Sequence, residues 1–139
     1  MDRAASQRRR ARRTRGARLM AFDQGLVDWV AEAMEPLGAL TMRKMMGVAT
    51  LYLDGTIFAI VSDEGLWFKS DAVSDAEWDD AGCPRFTFTM TDGRVEAMNY
   101  RRAPDTVYDD ADDLRLWALL GLGAGRRAPV RKPKAKKAR

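Results

Sequence analysis

Residues 43–69 limit the possible folds more than any other stretch. They read RKMMGVATLYLDGTIFAIVSDEGLWFK, apolar and rich in β-branched and aromatic side chains, cut by Asp54-Gly55 and again by Asp63-Glu64-Gly65. Both cuts are turn chemistry: glycine takes φ > 0 without a steric penalty, and aspartate bonds its own backbone. The pieces between them are of strand length. The stretch predicts a three-stranded antiparallel meander, or a four-stranded one if the lead-in over 41–47 is counted.

Helical patterns flank it. Over residues 22–37, Leu26, Val30, Ala33, Met34 and Leu37 recur on one face, with Asp23 as N-cap and Gly38 as terminator. Ser74-Asp75-Ala76-Glu77 has the form of a capping box for a short second helix that Trp78 anchors and Gly82 stops. Residues 85–90 alternate, with Phe86, Phe88 and Met90 on one side; Thr91-Asp92-Gly93 then turns the chain into a return strand over 94–100. A last helix is expected over 112–122, with Leu114, Trp117 and Ala118 facing the core and Gly121, Gly123 and Gly125 loosening the chain beyond. Leu116, Leu119, Leu120 and Leu122 make this helix apolar nearly all round. A surface helix has a polar side, so Leu116, Leu119 and Leu120 are a candidate homodimer face, unless flanking chain covers them. The order of elements predicts an α+β domain: an antiparallel sheet of five to six strands with three helices.

Charge is segregated. Of the 24 Lys and Arg, eight lie in residues 1–19 and eight in 126–139, which leaves eight basic against 19 acidic residues in 20–125, a net of −11. The two ends have no apolar periodicity and are expected to be a disordered basic arm and tail around a folded unit at 20–125. Translation starting at Met20 is a further expectation. The ends would touch nucleic acid weakly and without sequence preference, through phosphate charge alone, or serve as solubilising segments. No apolar run reaches the ~20 residues that span a bilayer, no signal-peptide core follows the basic start, and the acidic face of the first helix suits no anionic lipid. A cytoplasmic protein without membrane contact is the expectation.

Chemistry is sparse. There is no histidine and one cysteine, Cys83, read as an inert thiol with Arg85 as its nearest cation. Asp109, Asp110, Asp112 and Asp113 lack the spacing of a calcium loop and read as helix-capping acids. Arg43 and Lys44 beside Gly47, and Arg101 and Arg102 beside Tyr100, are candidate anion or partner contacts. The alternative for the first pair is solvated charge on a strand, and for the second an exposed loop pair that neutralises nearby aspartates. No nucleophile–base pair, metal cluster or dinucleotide fingerprint is visible, so neither enzymatic activity nor a cofactor is expected.

The order Arg43-Lys44-Met45-Met46-Gly47, then Leu51-Tyr52-Leu53-Asp54-Gly55 with Phe58-Ala59, then Leu66-Trp67-Phe68-Lys69, resembles the N-terminal domain of the TfoX/Sxy family of competence regulators. Met98, Tyr100 and Pro104 fit that family's Met-x-Tyr-x-x-x-Pro pattern, and Trp117 its closing helix. Met46 stands where Phe is usual, and Val48 where a second Gly is common. The resemblance covers about residues 22–122. It implies the secretion-chaperone-like fold of these domains and a non-enzymatic regulator acting through a protein partner. In better-known members a C-terminal helical domain follows; here only a basic stretch follows residue 125, so a direct role in competence is not expected.

Overall fold

The computed structural model describes residues 22–45 and 47–129. The arm over 1–19, the start at Met20, position 46 and the tail beyond 129 lie outside the described residues.

Asp23 caps helix α1 (Gln24–Met34), its Oδ1 accepting from the Leu26 amide at 3.3 Å. Leu26, Val30, Ala33 and Met34 are buried, as their spacing requires. Leu37 is 42% exposed. The helix ends at Met34, and a helical period has no meaning past the last turn.

Four strands follow: β1 (Leu40–Met45), β2 (Val48–Leu53), β3 (Thr56–Ser62) and β4 (Gly65–Lys69), each antiparallel to the next. The meander therefore includes the lead-in, through a hairpin in which Met45 pairs with Val48 and Gly47 takes φ +81°. At the next hairpin Asp54 and Gly55 both have positive φ, 49° and 87°, as a type I′ turn requires. The Asp54 carboxylate reaches outside this turn: Oδ1 accepts from the Ala39 amide at 3.0 Å and fastens the hairpin to the entry of β1.

Helix α2 (Asp75–Asp80) is preceded by a capping box, three residues upstream of the expected one. Ser74 makes no cap bond to α2. Instead, Asp71 Oδ1 accepts from the Ser74 amide and Ser74 Oγ accepts from the Asp71 amide, both at 3.1 Å. That reciprocal exchange makes Asp71 the start of the helical turn.

The β5 (Arg85–Thr89) and β6 (Val95–Arg102) hairpin returns so that β6 enters between β4 and β5, giving the order β1-β2-β3-β4-β6-β5. A 3-10 turn over Asp105–Tyr108 leads into α3 (Ala111–Arg127). Asp110 caps α3 by accepting from the Asp113 amide at 3.1 Å. The helix runs well past Leu122. Arg126 and Arg127, expected to open a tail, form its last turn. Its glycines allow a close crossing: a Cβ on Gly121 would stand 2.6 Å from the Phe58 carbonyl oxygen, and one on Gly125 1.9 Å from that of Ile57.

The fold is α+β, one antiparallel six-stranded sheet with three helices. The main core joins the helices to one face of the sheet through Leu26, Met34, Leu51, Phe58, Leu66, Phe68, Trp78, Leu114 and Leu122. The other face carries a small cluster of Ile60, Trp67 and Tyr100, with Val48, Ile57 and Phe86 against it. No helix residue belongs to this second cluster among the described residues. The alternation over 85–90 places Phe86 on that face, where Phe88 is 38% exposed.

Candidate functional site

The candidate contact residues do not converge. Arg43 and Lys44 are exposed on β1, one edge of the sheet, and Tyr100, Arg101 and Arg102 lie on β6, four strand positions away. At the usual inter-strand spacing the two groups are about 19 Å apart. Neighbouring strand residues also face opposite sides, so Arg43 diverges from Lys44. Cations on an edge strand oppose pairing with a foreign strand, and Gly47 serves the hairpin.

Arg101 is 4% exposed and points to the helix side. Its Nη1 donates to Asp79 Oδ1 and to the Cys83 carbonyl, both at 2.8 Å, and its Nη2 to Asp75 Oδ1 at 3.2 Å. Arg85 binds the other Asp75 oxygen at 3.3 Å. Arg101 therefore clamps α2 and the connection at Cys83 onto the sheet through both Nη groups, while its Nε is buried without a partner among the described residues, so it stands inside the fold and not in an exposed pair with Arg102. The cation that acts on the Cys83 thiol is Arg101, which also bonds the Cys83 carbonyl. Burial pushes the Cys83 thiol up, and the Arg101 charge opposes this only in part, which makes the group a poor nucleophile.

Tyr100 and Arg102 face the other way, onto the helix-free side. The β4–β6 register sets Trp67 opposite Arg102 and Lys69 opposite Tyr100. The Arg102 guanidinium lies 5.2 Å from the Trp67 ring centroid, and Lys69 Nζ 5.1 Å from that of Tyr100. Each cation thus rests on the aromatic ring across from it. Trp67 meets Phe86 edge-on at 4.8 Å, and Phe86 leans on Phe88 at 6.5 Å. The Trp67 indole donates to Ser62 Oγ at 3.1 Å, which fixes the ring. Burial, with a smaller effect from the Tyr52 phenol, pushes Tyr100 up to about 12, so it stays neutral. Arg102 is exposed and forms no ion pair among the described residues. This aromatic floor with a seated guanidinium can receive carboxylates flanked by apolar groups. The sequence pointed to Tyr100 and Arg102. It missed Trp67, Lys69 and Phe86, which only strand register brings to them.

A second surface lies between α2 and α3. Leu116 and Leu119 are 61% and 54% exposed, while Leu120 is partly buried against the core. With Trp117, Glu77, Asp80 and Ala81 they line a shallow groove of about 530 Å³. At the end of α3, Arg127 makes two bonds to Asp71, at 2.7 and 3.0 Å. Those bonds are the first reason the Asp71 carboxyl is held down at about 2.

No group of three or more His, Cys, Asp or Glu is placed to hold a metal ion, and no helix is long and apolar enough to cross a membrane, among the described residues. The family model described as the TfoX N-terminal domain matches residues 20–124. No curated protein matches the chain.

Proposed function

The chain belongs to the TfoX N-terminal domain family, and from that premise we propose that it is a small, non-enzymatic, competence-regulator-like protein that acts through protein contacts. Its helix-free sheet face receives an acidic segment of a partner protein. One observation carries this reading: Arg102 stands exposed on Trp67, beside Phe86 and Phe88, with no carboxylate of the described chain to neutralise it. A guanidinium held in place by a ring loses little freedom on binding, and aromatic and arginine side chains are the usual anchors of protein interfaces.

The test is capture of the partner from a nuclease-treated extract of the native cell, using the full chain. Arg102→Glu and Phe88→Glu are expected to lower recovery of a stoichiometric protein at least tenfold, with unchanged thermal unfolding, while Arg43→Glu on the far edge leaves recovery intact. Full recovery with Arg102→Glu overturns the assignment to this face. Absence of any stoichiometric protein with the wild-type chain overturns the protein-contact reading itself.

A further inference from the structure

The outward face of α3 carries a pattern that its own fold does not use. Leu114, Ala118, Gly121, Leu122 and Ala124 are the buried residues of the helix. At 3.6 residues per turn the opposite side carries, in order, Asp112, Leu116, Leu119, Gly123 and Arg126. Asp112 and Arg126 are exposed, as are the two leucines.

Gly123 differs from its neighbours Gly121 and Gly125. Those two are required by the carbonyl oxygens of β3 beneath them. A Cβ on Gly123 would meet no backbone, only the Arg127 guanidinium that Asp71 holds, at 3.3 Å. A glycine inside a helix is costly relative to alanine; here it also leaves the Arg127 guanidinium its place beside the helix, from which it bonds Asp71.

We propose that this face is the contact surface for a second copy of the chain, with the two α3 helices packed antiparallel about a two-fold axis at Leu119. In that register Leu119 meets Leu119, Leu116 of each copy sits over Gly123 of the other, and Asp112 of each lies against Arg126 of the other. The absent side chain at Gly123 leaves a low point on the helix, bordered by Arg127, over which the opposing Leu116 lies. Charge selects the direction. The acids of α3 lie in its first turn and two of its three arginines, Arg126 and Arg127, in its last, so a parallel pair would set like against like at both ends, whereas the antiparallel pair sets Arg126 against Asp112. Arg126 makes no ion pair among the described residues, while Asp112 already holds Arg115 in its own helix; the cross-pair adds a partner to Asp112 without removing that one. A two-fold interface must be self-complementary, and this stripe is. It lies apart from the helix-free sheet face, so the two contacts are independent.

Sedimentation equilibrium of the full chain between 1 and 100 µM tests the proposal. The expected result is a monomer–dimer equilibrium that Leu119→Arg weakens at least tenfold, with secondary structure and thermal unfolding of the monomer retained. Gly123→Leu is expected to weaken it by a similar factor by filling the space that Leu116 enters. Asp112→Arg and Arg126→Asp should each weaken it severalfold, and the double exchange should restore it toward the wild-type value. A monomer throughout that range overturns the proposal. So does a dimer indifferent to Leu119→Arg and Gly123→Leu, or one in which the double charge exchange restores nothing.

Discussion

Asp71 is the residue on which the two ends of the helical layer meet. One of its oxygens starts the turn into α2, and both accept from Arg127 at the end of α3. Its folded pKa, about 2, lies below the ordinary 3.8. A group whose folded pKa is depressed stabilises the fold fully above its unfolded value, and that stabilisation is lost as pH falls through the folded one. Asp71→Asn is therefore expected to lower the thermal midpoint at pH 7. The gap between variant and wild type should close as pH falls from about 4 to about 2, a window that differential scanning calorimetry can follow. A constant gap across that window would remove the ion pair as its cause. The pairing of Asp71 with Arg127 was not legible in the sequence, because the two are 56 positions apart. Asp23 and Asp110 were, because a cap bonds an amide three residues on in the same chain. Arg101 shows the opposite outcome. Two adjacent arginines beside a tyrosine look alike in sequence, yet strand alternation buries one among Asp75, Asp79 and Cys83 and seats the other on Trp67.

At the scale of elements, α3 was read too short, and the reason is physical. Helix propensity is local, and three glycines in five residues lower it by about 1 kcal/mol each. What outweighs this is the crossing over β3, where Gly121 and Gly125 let the helix touch strand carbonyls. Gly125→Ala is expected to destabilise the protein by about 1–3 kcal/mol, since the helix must lift off Ile57. Gly123→Ala, measured below 1 µM, should change stability by less than about 1 kcal/mol, since its gain in helix propensity is set against a small shift of the Arg127 guanidinium on Asp71. Urea unfolding of both variants separates the two roles; equal effects would show that the crossing is not what requires Gly125. The meander was legible because each hairpin carries its own turn residues. The lead-in was harder to place as a full strand, since its closing Gly47 follows Met46 rather than Asn or Asp. The displaced capping box had a plain signal in Asp71-x-x-Ser74, masked by the more usual Ser74-x-x-Glu77.

Over the whole molecule, net charge misleads: the span 20–125 is acidic by 11 charges, although the chain as a whole is basic. Weak nucleic-acid affinity is predicted to reside in the two basic ends. A chain cut to 20–129 is expected to keep the urea midpoint of the full chain and to lose retention on immobilised DNA. The full chain's affinity should fall at least tenfold between 50 and 200 mM salt. DNA retention by the shortened chain would place the contact on the fold instead. The sequence by itself determined the α+β class, the order of the elements, most of the core and the family, because periodicity, caps and turns depend on residues a few positions apart. The tertiary structure alone decided what the polar residues do. Arg101 became a clamp and Arg102 an exposed guanidinium on Trp67 through strand register, Gly121 and Gly125 became crossing points through helix–sheet packing, and Leu116 and Leu119 were left outside because the sheet fills only one side of α3. Each of these outcomes depends on neighbours distant in the chain.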